Sequence, residues 1–199
     1  MRKLFNLSLH RSGTSSVSKM LRPVCRSVHY TEQLSSPEIL GLVDKKLEQF
    51  LTNPGDLYEE LRPTINANDA FGDLPYAAMP EVLMREHPSG IFLIIMRDVV
   101  DWIASCRRHV QGPLRPLEKL QYWSCGNRRE VCLSDYSDEE LQGFYLKHLL
   151  RVMEAATIYG CELHVLWLKD PLIGKKIASL IGCPPLELPH INTSNDVYN

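Results

Sequence analysis

Short apolar runs alternate along this chain with longer stretches in which apolar residues recur every three or four positions. The first pattern is typical of buried strands and the second of amphipathic helices. Strands are predicted over residues 4–9, 24–30, 63–70, 91–96 and 162–168. Helices are predicted over residues 15–21, 39–51, 56–61, 77–87, 97–109, 137–159 and 171–181. This alternation predicts a three-layer α/β/α fold with a mainly parallel central sheet, in one domain over residues 1–199.

Two elements carry the clearest signals. The run I-F-L-I-I-M at residues 91–96 is apolar throughout, as expected of a central parallel strand that is covered on both faces. Ser137 followed by Glu140 predicts a capped start for the long helix, and Gly160 predicts its end. In contrast, residues 111–134 contain two prolines and no clear periodicity, which favours a loop or lid over a site.

The first strand leads into a polar turn, K-L-F-N-L-S-L-H-R-S-G-T-S-S at residues 3–16. A helix that starts here would present unpaired N–H groups, and Gly13 would let the backbone approach an anion closely. Arg11 adds a permanent cation, and three hydroxyl residues follow Gly13. The nucleotide P-loop pattern G-x-x-x-x-G-K-[ST] is absent, so the turn predicts a phosphate-like ligand held differently from ATP.

Polar clusters follow three of the predicted strands, at residues 10–16, 69–73 and 97–105. Ligands of parallel α/β sheets bind beyond the carboxyl ends of the strands. The three clusters are therefore expected to converge on one site.

Composition narrows the function classes. The chain has 199 residues, 44% of them hydrophobic, and a net charge of −2, so no global basic field favours nucleic acid as a partner. No run approaches the ~20 apolar residues of a membrane span. The six cysteines show neither a zinc pattern nor a secreted disulfide framework, which favours reduced thiols in the cytoplasm.

Two separated motifs together resemble those of the sulfotransferases that use 3′-phosphoadenosine-5′-phosphosulfate. L-H-R-S-G-T-S-S is similar to their 5′-phosphosulfate loop, typically Pro-Lys-[Thr/Ser]-Gly-Thr-[Thr/Ser]. I-I-M-R-D-V-V-D-W-I-A-S is similar to their 3′-phosphate motif, in which a strand ends in arginine and serine follows eight residues later. D-A-F-G-D-L-P-Y resembles the Asp-x-Pro element of the small bacterial-type branch. The resemblance covers about 110 residues well and implies a P-loop NTPase-like fold.

The resemblance implies transfer of a sulfuryl group from this donor to an acceptor hydroxyl or amine. Arg11 stands where a lysine usually contacts the leaving oxygen, and the late Arg-Lys-Gly loop of the cytosolic branch has no counterpart. The donor-binding residues implied are His10, Arg11, Ser12, Gly13, Thr14, Ser15, Ser16, Arg97 and Ser105. No metal is implied, because a sulfuryl group carries less charge than a phosphoryl group.

The general base has several candidates among the carboxylates. Asp73 precedes Leu-Pro where the cytosolic branch has a histidine, whereas Glu32 matches the glutamate that other branches carry near the second strand. Asp73 is favoured, Glu32 comes second and Asp69 third. Asp73 and Asp69 could equally be turn or N-cap residues.

Other interpretations stay open. The rival functions are a P-loop-type kinase using ATP and magnesium, and an inactive nucleotide-binding module. Trp102 is interpreted as core packing rather than an adenine contact, the histidines His29, His109 and His148 as structural, and the arginines 107, 108, 128 and 129 as a solvated rim. The acceptor, a small molecule, carbohydrate or lipid, would be bound mainly by segments 31–66 and 111–136.

Overall fold

The computed structural model describes residues 2–29, 37–110, 112–126 and 132–189. Five strands form one sheet in the order β2-β3-β1-β4-β5, and every pair of neighbours is parallel. The strands are β1 Leu4–Asn6, β2 Ser27–His29, β3 Ala70–Gly72, β4 Ile91–Met96 and β5 Glu162–Trp167. The predicted α/β class with a parallel central sheet is confirmed.

Helices pack on both faces of this sheet. They are α1 Thr14–Leu21, α2 Pro37–Thr52, α3 Pro54–Ala67, α4 Pro80–Glu86, α5 Val99–His109, α6 Pro116–Ser124, α7 Asp138–Tyr159 and α8 Ile173–Leu180. Short 3-10 helices lie at Tyr76–Ala78 and Leu133–Asp135. In the part of the chain that the structure describes, each helix is too short or too polar to cross a membrane.

The central strands separate two apolar cores. Phe5 on β1 and Phe92 on β4 point toward the larger core, which includes side chains of α3, α4, α6 and α7. Leu4 and Leu93 point to the opposite face, where α1 and α8 cover them. Because successive side chains of a strand alternate between faces, continuous apolar strands fill both cores.

Two sequence predictions are wrong. Residues 63–67 belong to helix α3, which contains Pro63, and the strand that follows is only Ala70–Gly72. Leu57, Leu61 and Ile65 recur every four residues and are buried, so burial of one helix face outweighs the proline. The segment predicted as a loop or lid contains helix α6, whose Leu117 and Leu120 are buried.

Candidate functional site

The carboxyl ends of β1, β2 and β3 border a cleft beside the start of α1. Its far wall comes from the end of α5 and from α6. The lining residues are His10, Arg11, Gly13, Thr14, Ser15, His29, Asp73, Leu74, Val110, Arg115 and Glu118. The first predicted cluster and Asp73 of the second therefore meet at this edge of the sheet.

Gly13 is the N-cap residue of α1, and its conformation explains why glycine stands there. Its φ is 81°, in the left-handed region, and an added Cβ would lie 2.6 Å from Cδ1 of Leu168. A glycine N-cap brings no side chain to the first N–H groups of the helix. The N–H groups of the first turn point out of the N-terminal end of α1, which borders the cleft. The helix dipole favours an anion at this end.

Arg11 and Asp73 share an uncommon backbone conformation. Their φ values are 65° and 68°, and they are the only non-glycine residues with positive φ within the described residues. Left-handed conformations are costly for residues with a Cβ and concentrate at functional sites. Both side chains line the same cleft.

Arg11 joins the β1 loop to the residues that follow β4. Its Nε donates to Oγ of Ser105 across 3.3 Å, and its carbonyl accepts from Nη1 of Arg97 at 2.9 Å. Ser105 is buried on α5, whereas Arg97 is half-buried between β4 and α5. Arg11 is thus in direct contact with both Arg97 and Ser105.

Tyr145, Trp102 and Tyr122 hold this arrangement in place through hydrogen bonds. The Tyr145 hydroxyl accepts from the Arg97 N–H at 3.0 Å and donates to the Arg97 carbonyl at 2.9 Å. Nε1 of Trp102 donates to the His10 carbonyl at 2.9 Å, and Nε2 of His10 lies 3.0 Å from the Tyr122 hydroxyl. The backbone on both sides of the contact is therefore held by side-chain hydrogen bonds.

His29 ends β2 and lies at the centre of a buried polar cluster. Its Nε2 is 3.2 Å from Oγ1 of Thr14, 3.3 Å from Oγ of Ser15 and 3.4 Å from Oδ2 of Asp73. Thr14 also donates to Asp73 Oδ2 across 3.3 Å. Burial lowers the pKa of His29, and the nearby Asp73 carboxylate opposes this shift. Burial likewise lowers the pKa of His10.

The sequence of this chain was compared with those of known protein families. The family described as "Sulfotransferase domain" matches residues 3–196. The chain belongs to the sulfotransferase family. A crystal structure of a sulfotransferase from Alicyclobacillus acidocaldarius superposes with a TM-score of 0.54 at 16% identity, covering 98% of this chain and 87% of that one. At this identity the likeness shows the fold alone. A search of the curated proteins gave no match.

Some predicted residues of this sulfotransferase lie outside the cleft. Ser12 is buried and lines a separate small cavity with Tyr145 and His148, and Ser16 is buried in α1. Asp69 precedes β3, at the opposite end from Asp73, and pairs with the exposed Arg26 through Oδ2 at 3.1 Å. The expected convergence of Asp69 with the site is therefore wrong, while Glu32 lies outside the described residues.

The remaining interpretations also have outcomes in the sulfotransferase structure. Trp102 is fully buried, which confirms core packing and leaves no ring face for an adenine. Arg107 donates to the Tyr136 carbonyl at 2.8 Å and pairs with Asp138, whereas arginines 128 and 129 fall outside the described residues. No group of three His, Cys, Asp or Glu side chains suited to a metal occurs in the described ranges.

Sequence reasoning missed two residues of the site. His29 was interpreted as structural, because a lone histidine has no spacing that marks it. The strand register places His29 beside Gly72, the residue before Asp73, and this pairing cannot be read from the local sequence. Nothing in the local sequence marks Tyr145 either, because its hydroxyl contact with Arg97 spans 48 residues.

Proposed function

We propose that this chain transfers the sulfuryl group of 3′-phosphoadenosine-5′-phosphosulfate to an acceptor hydroxyl or amine. The observation that carries the proposal is the contact of Arg11 with Arg97 and Ser105. This contact joins the anion-binding turn at the start of α1 to Arg97 and Ser105. Both of these residues follow β4, the strand beside β1. A nucleotide with phosphate groups on both its 3′ and 5′ positions fits two such sites.

The first site is assigned to the 5′-phosphosulfate. Gly13 gives close access to the backbone, and Thr14 and Ser15 also line the cleft. The His10 side chain holds this loop against α6 through the hydrogen bond between its Nε2 and the Tyr122 hydroxyl. The buried Ser12 and Ser16 would contribute main-chain N–H groups rather than side chains.

The second site is assigned to the 3′-phosphate. Arg97 uses one nitrogen for the Arg11 carbonyl, and a guanidinium has five N–H donors in all. The Ser105 hydroxyl accepts from Arg11 in this structure, and its own proton can be donated to a phosphate oxygen. Arg97 and Ser105 can therefore bind phosphate while they keep their hydrogen bonds with Arg11.

Arg11 is proposed to stabilise the leaving phosphate during transfer. Burial lowers the pKa of Arg11, and a guanidinium nevertheless stays protonated in proteins. Transfer through a loose, in-line transition state depends on positioned donors more than on covalent catalysis. Because a sulfuryl group carries less charge than a phosphoryl group, Arg11 and the helix N–H groups supply this stabilisation without a metal ion.

Asp73 is proposed as the general base. It is buried, with 6% of its surface exposed, and it lies within hydrogen-bond reach of Thr14 at the start of α1. A base must contact the acceptor proton while the transferred group sits at the helix N-terminus. The acceptor would enter from the far wall of the cleft, past Leu74, Val110 and the Arg115–Glu118 pair.

Calorimetric titration with adenosine 3′,5′-bisphosphate and with ADP tests the donor assignment. The bisphosphate should bind at least tenfold more tightly, because only it reaches Arg97 and Ser105. Ser105→Ala should reduce this preference, whereas Ser179→Ala on α8 should leave it unchanged. Tighter binding of ADP would contradict the proposal and favour a kinase.

A radiolabelled-donor screen over phenols, carbohydrates, lipids and peptides then identifies the acceptor class. Transfer to any of these by the wild-type chain, and its loss in Asp73→Asn, is the expected result. Binding of the bisphosphate without transfer to any acceptor would favour an inactive nucleotide-binding module. Full activity of Asp73→Asn would remove Asp73 as the base.

A further inference from the structure

We propose that His29 forms a proton-transfer pair with Asp73, in which Asp73 takes the proton of the acceptor and His29 Nε2 receives it from Asp73. This inference rests on the proposed sulfuryl transfer and deepens it. His29 acts through Asp73, so it is a positioning and relay residue. The observations that carry it are the geometry, burial and charge of the cluster.

The geometry gives Nε2 of His29 three oxygen neighbours. Ser15 can donate its hydroxyl proton toward Nε2 from 3.3 Å, and Oγ1 of Thr14 lies 3.2 Å from the same nitrogen. Asp73 Oδ2, at 3.4 Å, already accepts from Thr14. With ionised Asp73 and with the imidazole proton on Nδ1, one proton can be accommodated between Oδ2 and Nε2. The pair is therefore arranged to receive a single proton.

Burial keeps that proton within the pair. The side chains of His29 and Asp73 are only 2% and 8% exposed, so bulk water has little access to either group. The neutral imidazole of His29 can hold this proton on Nε2, because an unprotonated ring nitrogen is an acceptor.

The charges around His29 keep it neutral before the reaction. Burial lowers its pKa, and the cations Arg22 and Lys19 on α1 act in the same direction. Asp73, after β3, is the group that opposes them. A neutral imidazole at rest is what a proton acceptor requires.

The chemical step balances within these groups. The acceptor O–H bond breaks as the acceptor oxygen forms a bond to sulfur, and its proton passes to Asp73 Oδ2. The bond between sulfur and the 5′-phosphate oxygen breaks, and adenosine 3′,5′-bisphosphate leaves with that electron pair beside Arg11. The proton then moves to His29 Nε2, which returns Asp73 to its ionised form.

Sulfate release from the radiolabelled donor, with water as the acceptor, tests the relay in single turnovers. The variants are His29→Asn and His29→Gln, and the matched control is His164→Asn on the edge strand β5. The first two should slow release by about 100-fold, as expected for loss of acid–base catalysis. We also expect the wild-type rate to fall in acid as His29 becomes protonated, and both His29 variants should lose this fall.

The outcomes separate the relay from simple positioning and from the proposed function. If His29→Gln keeps the wild-type rate and pH profile, His29 only orients Asp73 and the relay is wrong. Affinity for adenosine 3′,5′-bisphosphate should stay within about threefold in both variants, because His29 is assigned no phosphate contact. Failure of the wild type to prefer this bisphosphate over ADP would instead contradict the proposed function.

Nitrogen NMR of the histidine-labelled wild type with adenosine 3′,5′-bisphosphate tests the relay without turnover. The relay requires the His29 proton on Nδ1 at neutral pH, with Nε2 unprotonated. A proton on Nε2, in the neutral ring or in an imidazolium, would overturn the proposal. The His29 signals are those absent from the spectra of His29→Gln, and His164→Asn is the control that should lose the signals of His164 instead.

Discussion

The guanidinium of Arg97 donates from Nη1 to the main-chain carbonyl of Arg11, across 2.9 Å and 86 residues of sequence. The residue assigned to the 3′-phosphate therefore also supports the loop assigned to the 5′-phosphosulfate. Tyr145 holds the Arg97 backbone in turn, through its N–H and its carbonyl. Binding at one site should consequently depend on the integrity of the other.

Arg97→Ala should weaken adenosine 3′,5′-bisphosphate binding by about 10- to 100-fold, the value of one or two hydrogen bonds to a charged group. ADP binding should fall less, because ADP has no 3′-phosphate. Arg97→Lys should restore only part of the loss, since lysine lacks the forked donor geometry. Calorimetry measures all three, with the surface residue change Arg85→Ala as control. Equal losses for both nucleotides would show that Arg97 acts only through the loop.

Arg11→Ala should slow sulfate release from the radiolabelled donor by about 100-fold or more, as does removal of one oxyanion donor elsewhere. Arg11→Lys should keep a measurable rate because it retains the positive charge. The control is Arg62→Ala, on the outer surface of α3 where Arg62 pairs with Glu59. A wild-type rate for Arg11→Ala would exclude the leaving-group role.

The backbone of Arg11 has a φ of 65°, and the strain of this conformation can be tested by measuring the stability of Arg11 variants. Glycine adopts this conformation freely, whereas alanine is strained by about 1–2 kcal/mol. Arg11→Gly should therefore unfold at higher urea concentration than Arg11→Ala, although both lack the side chain. Equal midpoints for the two variants would show that the left-handed backbone stores no strain.

Elements with local signals could be predicted from the sequence. The continuous apolar run gave β4, Ile91–Met96, without error. The start of α7 follows the predicted capping box, because Ser137 accepts from the Glu140 N–H and the Glu140 carboxylate accepts from the Ser137 N–H. Gly160, at φ 62°, ends that helix in the left-handed conformation. Each of these features depends on residues close together in the chain.

Features that depend on tertiary contacts could not be predicted. Helix α3 continues through Pro63 because Leu61 and Ile65 are buried on either side of it. Helix α6 begins at Pro116, in a segment whose two prolines favoured a loop, yet its Tyr122 side chain is fully buried against the core. His29 gains its neighbours only when β2 pairs with β3, so no spacing in the sequence marks it.

Gly13→Ala should destabilise the chain by about 1–2 kcal/mol, because alanine is strained at φ 81°. Its Cβ would also displace the Leu168 side chain, 2.6 Å away, and narrow the anion-binding turn. Gly143→Ala is the matched control, since Gly143 lies within α7 and has open space around it. That change should stabilise the chain by up to about 1 kcal/mol. Urea unfolding measures the stability of both variants. If Gly143→Ala lost as much stability as Gly13→Ala, the conformational explanation would be wrong.

Arg151→Ala should destabilise the chain by about 1–2 kcal/mol, through loss of several hydrogen bonds at once. Its guanidinium joins α7 to Glu81 on α4, to Ser124 Oγ at 2.9 Å and to the Ala78 carbonyl at 3.1 Å. Arg85→Ala, which breaks an exposed pair with Glu86, should change the free energy of unfolding by less than about 0.5 kcal/mol. Equal effects of the two variants in urea unfolding would contradict a special role for Arg151.

His148 should make the chain less stable in mild acid. It is buried on α7, where Nε2 lies 2.8 Å from the Leu7 carbonyl, and Nδ1 has no partner among the described residues. Burial lowers its pKa to about 4 from an ordinary 6.5. Between these values the unfolded chain binds more protons than the folded one. The stability from this group is therefore present above pH 6.5 and is lost as the pH falls toward 4.

At about pH 5 the calculated loss from His148 is about 2 kcal/mol. His148→Gln can keep a donor for the Leu7 carbonyl but cannot titrate, so its unfolding free energy should fall less between neutral pH and about pH 5. The unfolding free energy of His148→Gln should still fall somewhat with decreasing pH, because burial also lowers the pKa of His10 and His29. Urea unfolding across this pH range measures the difference, with His164→Asn as control. The same acid-dependent loss in His148→Gln and the wild type would assign the effect to other groups.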